Sequence, residues 1–240
     1  TGTEHVEGGY DLAFVSEVAR HLERAGVDEI NVSAGNCEEM EWMVQPMAFQ
    51  EGCLVPFARE IKRSVRVAVS TVGKIKRPEM AEAIISAGDA DLVYLGRPLL
   101  ADPDLPEKAA NGRFEEIRYC LSCNACIQAL FSGKPVHCTV NYALGRDHEL
   151  MEETPAAVRR RVTVIGGGPA GMEAARVAAR RGHEVTLYEK EAVLGGQLPV
   201  AAVPPHKEDL NYLINYLRGE VDRSGGRVVH QQVEAGEVDK

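Results

Sequence analysis

Four cysteines stand close together in the sequence, at Cys120, Cys123, Cys126 and Cys138, with the spacing C-x2-C-x2-C-x11-C. Three thiolates from one tight loop and a fourth from a distance are typical of [4Fe-4S] clusters, whereas zinc sites usually use two separated C-x2-C pairs or Cys/His mixtures. We therefore predict an iron-sulfur cluster on these residues, with structural zinc and plain buried thiols as the alternatives. His137 is expected to be a bystander rather than a ligand.

A glycine-rich turn follows a predicted strand at residues 162–165 and precedes a predicted helix from Met172 to Arg181. Glycines in a G-x-G-x-x-G turn allow the backbone to approach a pyrophosphate closely at a helix N-terminus. Because strand, turn and helix occur in the required order, the turn predicts dinucleotide binding rather than an empty glycine turn. The predicted contacts in this turn are Gly166, Gly168, Pro169, Ala170 and Gly171.

An acidic residue, Glu189, ends the next predicted strand, Glu184 to Glu189. A carboxylate at this position can accept hydrogen bonds from ribose hydroxyls. The same charge would repel a 2'-phosphate group, so FAD or NAD is favoured over NADP as the dinucleotide.

Two predicted strands in the first half of the chain end in a glycine followed by a cation, Gly73-Lys74 and Gly96-Arg97. Successive parallel strands deliver such residues to the same face of a barrel, where glycine amides and a guanidinium bind phosphate. Either pair alone is a weak indication, because a cation after a strand is usually only solvated. Together they predict a cofactor phosphate site.

The elements that must position these residues alternate between helix and strand. Apolar residues on one face predict a helix from Asp11 to a C-terminal cap at Gly26, and Pro56 marks the first turn of a second helix. The other predicted elements are a strand at 29–33, a β-rich stretch at 65–72, a helix from about 79 to 88 and a strand at 91–95. This alternation indicates an α/β fold with a parallel sheet, in a barrel or an open doubly wound sheet.

The length of the first region limits what it can contain. A complete (β/α)8 barrel needs about 250 residues, and only 119 residues precede Cys120. We expect a fragment made of the C-terminal half of a TIM barrel at 1–118, an iron-sulfur segment and linker at 119–158, and the N-terminal part of a Rossmann-like domain at 159–240. The polar stretch that ends in Arg159, Arg160 and Arg161 fits a linker.

Composition excludes several classes of function. The chain has a net charge of -9, 45% hydrophobic residues and no long basic run, which argues against a nucleic-acid surface. It has no apolar stretch of the roughly 18 residues that would span a bilayer and no N-terminal signal pattern. We therefore expect a cytoplasmic protein that binds neither nucleic acid nor a membrane.

Several motifs together resemble one family, the multi-domain Old Yellow Enzyme relatives, which include 2,4-dienoyl-CoA reductase, trimethylamine dehydrogenase and clostridial enoate-type reductases. The resemblance covers nearly the whole chain, and the motifs occur in the same order as in that family. They are the segments 31–35 with Glu38 and Glu39, 72–75, 95–98 with 102–105, 120–126 and 164–171.

This resemblance implies a set of cofactors and an activity. Gly73, Lys74, Gly96 and Arg97 would line the FMN phosphate, the four cysteines would bind the [4Fe-4S] cluster, and the glycine-rich segment would bind FAD or ADP. Lys190 and Gln197 are included in that dinucleotide site. Electrons would pass from NAD(P)H through FAD and the cluster to FMN, and reduce the C=C bond of an activated alkene.

Cys37 departs from the family pattern, because the dienoyl-CoA reductases have a histidine proton donor in the corresponding loop. A thiol is a poorer proton donor than histidine, so Cys37 is only a weak catalytic candidate and is expected to pack in its loop. An amine dehydrogenase on the same scaffold is the nearest alternative, and a non-catalytic module with zinc and a nucleotide is another. The expected partners are a small-molecule substrate and, in a homo-oligomer, further copies of the chain.

Overall fold

The computed structural model describes residues 1–146 and 154–233 as a mixed α/β structure. Residues 147–153, in the predicted linker, and 234–240, at the end of the predicted third region, lie outside the described residues. The helices are α1 Leu12–Arg24, α2 Met40–Met43, α3 Val55–Ser64, α4 Pro78–Ser86, α5 Arg97–Ala101, α6 Leu105–Ala110, α7 Ala125–Phe131, α8 Pro169–Arg180, α9 Leu198–Ala201 and α10 Leu210–Arg223. The strands are β1 Glu29–Val32, β2 Ala68–Thr71, β3 Leu92–Val93, β4 Arg161–Ile165, β5 Glu184–Glu189 and β6 Arg227–His230. In the described ranges, no helix has the length and apolar character needed to cross a membrane.

The first sheet contains three parallel strands in the order β1-β2-β3. Glu29 lies opposite Ala68, and Ser70 lies opposite Leu92. Helices α2 and α3 connect β1 to β2, and α4 connects β2 to β3. The predicted alternation and parallel pairing are confirmed, and the carboxyl ends of the three strands meet at one edge.

Helix α1 begins and ends where its sequence predicts. The side chain of Asp11 accepts a hydrogen bond from the amide of Phe14, which satisfies one of the free donors at the helix N-terminus. The helix ends before Gly26, whose φ of +92° is unfavourable for other residues.

Strand β3 is shorter than the predicted strand 91–95, with only Leu92 and Val93 in regular pairing. The hydrogen bonds to β2 nevertheless extend past both ends of the strand. The amide of Asp91 donates to the Val69 carbonyl at 2.7 Å, and the amide of Tyr94 donates to the Thr71 carbonyl at 2.8 Å. The extended backbone is therefore present, although the regular ladder covers only its centre.

The core of the first half lies between the sheet and helices α1, α3 and α4. Its buried side chains include Val32 and Val69 from the sheet, Ile61 from α3 and Ile84 from α4. Ile61 is only 1% exposed. Helix α3 therefore depends on this apolar face for its position against β2.

Replacing Ile61 by alanine should lower the free energy of unfolding by about 2–5 kcal/mol, because the substitution removes buried methyl groups and leaves a cavity. Thermal or urea unfolding would measure this loss. Glu60 on the same helix is exposed and forms only a surface ion pair with Arg63 at 3.5 Å, so Glu60→Ala should change stability by less than about 0.5 kcal/mol. Equal effects of the two substitutions would contradict this description of the core.

The second half begins with the unit β4-α8-β5, and its sheet has the order β4-β5-β6 with all strands parallel. Strand β5 has the predicted limits, Glu184 and Glu189. Helix α8 starts at Pro169, three positions before the predicted start at Met172. Proline suits the first turn of a helix because it lacks the amide hydrogen that would be unpaired there.

A buried group of charges joins α8 to α10. Arg176 is 1% exposed, and its guanidinium lies 2.8 Å from the Glu173 carboxylate. Glu220 of α10 is 3% exposed and lies 2.5 Å from Arg180 and 2.9 Å from Arg223. Because buried charges are costly unless paired, this network fixes the position of α10 against α8.

Helix α10 also connects the two halves of the chain. The Arg118 guanidinium donates a hydrogen bond to the Tyr216 hydroxyl at 3.1 Å and lies 5.2 Å from the centre of its ring. Arg223 donates to the Glu115 carbonyl at 3.3 Å. Residues next to the cysteine segment are therefore held directly by the second half.

Candidate cofactor-binding site

The carboxyl ends of β2 and β3 bring together the four residues predicted to bind a phosphate. Gly73, Lys74, Gly96 and Arg97 all line one cavity of about 170 Å³. This volume is several times the ~30 Å³ that one water molecule occupies in the liquid, so a phosphate group fits. Cys120 also lines this cavity.

Gly73 is required at its position by both backbone conformation and space. Its φ of +106° is one that L side chains rarely adopt. A Cβ atom there would lie 2.7 Å from Cγ of Leu54, a fully buried residue. The backbone can therefore approach a ligand closely at this point, as the sequence predicts.

Lys74 lines the cavity, but its ammonium group is already bound by the protein. It donates hydrogen bonds to the carbonyl oxygens of Met47, at 2.6 Å, and Phe49, and lies 3.8 Å from the Asp209 carboxylate. Burial lowers the pKa of Lys74, and the charge of Asp209 opposes this shift. Lys74 can therefore supply positive charge to the cavity, with two of its three ammonium donors already used.

Lys76 is a cation that motif analysis did not identify, although it lines the same cavity. It is 2% exposed, and its ammonium nitrogen lies 2.6 Å from Asp209 and 3.3 Å from Glu51. The ammonium also lies 5.0 Å from the centre of the Tyr212 ring. Because Asp209 and Tyr212 come from the second half of the chain, no local sequence signal could have indicated this cluster.

Arg97 lies between two cavities. Besides the cavity described above, it lines a smaller one that contains the cysteines. Its Nη1 atom donates to the Gln45 carbonyl at 2.8 Å and to the side-chain oxygen of Asn124. The guanidinium is therefore anchored on one side by the cysteine loop.

The structure brings all four predicted cluster ligands to this smaller cavity, which Cys120, Cys123, Cys126 and Cys138 line together. Cys126 is buried in α7, Cys123 is exposed, and the other two are partly buried. His137 is not among the described residues that line this cavity. Among the described residues, the rest of the lining is three apolar and three polar side chains, and Arg97 is the one cation: Leu100, Leu121, Val140, Asn124, Thr139 and Arg97.

The chemistry of the four thiols fits an iron-sulfur cluster. Burial raises the pKa values of Cys120 and Cys138, and neighbouring cysteines raise them further. Ionising such thiols requires a positive charge among them, which a metal centre provides.

Cys37 lies apart from both cavities. Its thiol is exposed in the loop after β1, and it lines neither the phosphate cavity nor the cysteine cavity. The side chain of Asn36 shapes this loop by accepting hydrogen bonds from the amides of Glu38 and Glu39. The structure therefore adds no support to Cys37 as a catalytic residue.

The glycine-rich turn of the second half packs tightly against itself. A Cβ atom on Gly171 would lie 1.9 Å from the carbonyl oxygen of Gly166, so only glycine fits there. Gly168 caps α8, and Pro169 and Ala170 form its first turn. The turn therefore has the close strand-to-helix approach that dinucleotide binding requires.

Glu189 lies directly beside this turn. It is 7% exposed, and its carboxylate accepts hydrogen bonds from the amides of Gly167 at 2.7 Å and Glu191 at 2.9 Å. These hydrogen bonds lower the pKa of Glu189, and the bond from the Glu191 amide has the largest effect. A carboxylate has about four acceptor positions, so acceptor capacity remains for a ribose hydroxyl.

The other two predicted dinucleotide residues lie at the edge of this site. Gln197 is exposed and caps α9 two residues after Gly195, whose amide donates to the Gly167 carbonyl at 2.8 Å. Lys190 is exposed, with its ammonium group 3.9 Å from the Glu191 carboxylate. The structure thus places the Gln197 loop against the glycine turn, and Lys190 in solvent.

Comparison with known proteins agrees with these features. Residues 5–116 match the model of the NADH:flavin oxidoreductase / NADH oxidase family, and residues 161–236 match the model of FAD-dependent oxidoreductases. The chain belongs to the NADH:flavin oxidoreductase family. The Old Yellow Enzyme resemblance is therefore confirmed.

Members of this family with similar sequences carry the names of reductases and oxidases. The chain is 47% identical to an NADH oxidase of Thermoanaerobacter brockii over 94% of its length, 44% identical to a bilirubin reductase of Mediterraneibacter gnavus over 90%, and 38% identical to a cinnamate reductase of Clostridium sporogenes over 90%. It covers 35%, 34% and 32% of those proteins. The chain thus spans about a third of the length of its family relatives.

Two solved structures of similar flavoenzymes share the fold. A 2-naphthoyl-CoA reductase in complex with 2-naphthoyl-CoA has a TM-score of 0.94 and 29% identity over 99% of this chain and 36% of that chain. Histamine dehydrogenase from Rhizobium sp. 4-9 has a TM-score of 0.90 and 26% identity over 99% of this chain and 35% of that chain. Both a reductase and an amine dehydrogenase are therefore similar to the chain.

Proposed function

We propose that this chain is part of an NAD(P)H-dependent flavin and iron-sulfur oxidoreductase. Residues 1–118 would form the C-terminal half of an FMN-binding TIM barrel, 119–158 the [4Fe-4S] segment and linker, and 159–240 the N-terminal part of a Rossmann-like domain for FAD or ADP. The parallel sheets on either side of the cysteine segment support this division.

The observation that carries this proposal is that two residues line both cavities. Arg97 and Cys120 line both the cavity at the strand ends and the cavity of the four cysteines. A phosphate-bearing cofactor and a metal centre in these positions would be immediate neighbours. Such proximity is what electron transfer between two redox groups requires, and a purely structural metal has no need of it.

The chain's own residues would hold each group in a distinct way. Gly73 and Gly96 would offer backbone amides to the FMN phosphate, with Lys74 and Arg97 supplying positive charge. The turn from Gly166 to Gly171 would hold the dinucleotide, with Glu189 accepting from its ribose. When bound, the flavins and the cluster would supply the hydride and electron transfer between NAD(P)H and an activated alkene.

An alkene is favoured over an amine as the substrate by the named relatives. The cinnamate reductase of the family is 38% identical to this chain, whereas an N,N-dimethylglycine/sarcosine dehydrogenase of Chromohalobacter salexigens is 34% identical. Amine dehydrogenation remains the second candidate, because the histamine dehydrogenase shares the fold at a TM-score of 0.90.

Metal analysis and flavin reduction of the full-length protein would test this function. We expect iron and acid-labile sulfide in equal amounts, and bleaching of the flavin absorbance when NADH or NADPH is added without oxygen. A colourless protein with one zinc and no sulfide would instead support the non-catalytic module. Bleaching by a methylated amine, with none by NADH or NADPH, would establish the amine dehydrogenase.

A further inference from the structure

Asn124 occupies an unusual position in the cysteine loop, between Cys123 and Cys126. Its φ of +59° and ψ of 15° place it in the left-handed region, which few residues other than glycine adopt and in which asparagine is enriched. Glycine would satisfy this backbone at no cost. Backbone conformation alone therefore does not explain why this residue is asparagine.

The amide group of Asn124 makes two hydrogen bonds to the first half of the chain. Its oxygen accepts from Nη1 of Arg97, and its nitrogen donates to the Val44 carbonyl at 2.9 Å. Nη1 of Arg97 also donates to the Gln45 carbonyl at 2.8 Å. Both ends of the amide are thus used to fix the cysteine loop to the wall of the phosphate cavity.

These bonds leave most of the Arg97 guanidinium available. Both go to Nη1, and among residues 1–146 and 154–233 neither Nε nor Nη2 makes a hydrogen bond. Two nitrogens can therefore face an anion with the paired geometry that guanidinium groups use for phosphate. The same charge lies on the wall of the cysteine cavity.

We propose that Asn124 is a positioning residue that holds the Arg97 guanidinium on the wall between the two cavities, so that one positive charge acts on both the FMN phosphate and the iron-sulfur cluster. This inference rests on the proposed function. Asn124 also lines the cysteine cavity, but its proposed effect on the FMN phosphate is exerted through Arg97.

Two consequences follow from one charge shared between two groups. Reduction adds one electron to the cluster, so a nearby cation stabilises the reduced form and raises its reduction potential. A bound phosphate neutralises part of that cation, so FMN should lower the cluster potential relative to a flavin without a phosphate. By thermodynamic linkage, the enzyme should then bind FMN more tightly when its cluster is oxidised than when its cluster is reduced.

Asn124→Gly in the full-length enzyme tests this coupling, because glycine keeps the left-handed backbone and removes only the amide. We expect the dissociation constant of FMN to rise about tenfold, as for the loss of one hydrogen bond to a charged group. The dissociation constant of riboflavin, which lacks the phosphate, should change less than twofold. Redox titration monitored by electron paramagnetic resonance should show a lower cluster potential and a smaller difference between the FMN-loaded and riboflavin-loaded forms.

Asn111→Gly provides the matched control. The Asn111 side chain is exposed and bonds only locally, to the Glu107 carbonyl at 2.8 Å. This variant should retain the FMN affinity and the cluster potential of the parent enzyme.

Different results would defeat the inference and the proposed function. A parent enzyme without iron, sulfide or FMN would defeat the proposed function itself. A parent enzyme with these groups, and an Asn124→Gly variant with unchanged FMN affinity and cluster potential, would overturn the inference alone. If Asn124→Gly fails to assemble the cluster, the Asn124→Asp variant provides the test. Its carboxylate should neutralise the charge of Arg97, and so lower both the affinity for FMN and the reduction potential of the cluster. Unchanged values in that variant would also overturn the inference.

Discussion

Replacing Cys123 by alanine should remove the cluster's contribution to the visible absorbance of the full-length protein, leaving that of the flavins, and should remove its iron and acid-labile sulfide. The cluster is held by four thiolates, and the loss of one leaves an iron atom without its protein ligand. Cys123 is the exposed member of the set, with its sulfur 3.2 Å from the Thr139 hydroxyl. The substitution therefore removes little packing, so the loss would report on the cluster rather than on the fold.

The matched control for this prediction is Cys37→Ala. Cys37 is also an exposed thiol, but it lies outside the cysteine cavity, so its loss should leave absorbance, iron and sulfide at the parent values. Circular dichroism of both variants should retain the helix and strand content of the parent. Full iron and sulfide content in Cys123→Ala would rule out Cys123 as a ligand.

Local sequence signals were sufficient for the main elements of the fold. Asp11 and Gly26 bound α1, Pro56 lies in the first turn of α3, and Glu189 ends β5 as predicted. Each of these signals acts within a few residues, through a capping hydrogen bond, a fixed φ or a change from apolar to polar residues. The parallel order of both sheets followed from the alternation of helix and strand.

Contacts between distant segments had no such signal. Lys76 meets Asp209, and Arg118 meets Tyr216, across the junction of the two halves. A lysine in a polar loop is expected in solvent, and only the position of α10 shows that Lys76 is 2% exposed. Nothing in the residues around Lys76 specifies where α10 lies, because that depends on packing across the whole junction.

In the candidate site, too, local features could be predicted from the sequence, whereas contacts between distant segments could not. The cysteine spacing predicted which thiols would meet, since three of them share one short loop. Their relation to the phosphate cavity could not be predicted, because it depends on the Arg97–Asn124 contact between segments that are separate in the sequence. The expected function as an electron relay therefore came from the order of the motifs, and the structure adds a specific residue, Arg97, between the two cavities.

Replacing Gly171 by alanine should raise the dissociation constant of FAD in the full-length protein at least about tenfold, which corresponds to a loss of at least 1.4 kcal/mol in binding, and should lower the FAD content of the purified protein. The added Cβ would lie 1.9 Å from the Gly166 carbonyl oxygen, and both partners are backbone. No side-chain rotation can relieve this overlap, so α8 must move away from the turn that would hold the pyrophosphate. Chromatography of the released flavins with absorbance detection would measure FAD separately from FMN.

Gly226→Ala adds the same methyl group where it fits, because the nearest atoms to its Cβ are 3.7 Å and 3.8 Å away, on Ser224 and Val185. This control should retain the FAD of the parent. Iron and sulfide should stay unchanged in both variants, since the described residues that line the cysteine cavity all lie within 97–140. Loss of iron together with FAD in Gly171→Ala would mean that the substitution disrupts the junction of the two halves as well as the dinucleotide turn. Unchanged FAD would mean that the dinucleotide does not depend on the close approach of α8 to β4, which is the feature that makes this turn a binding site.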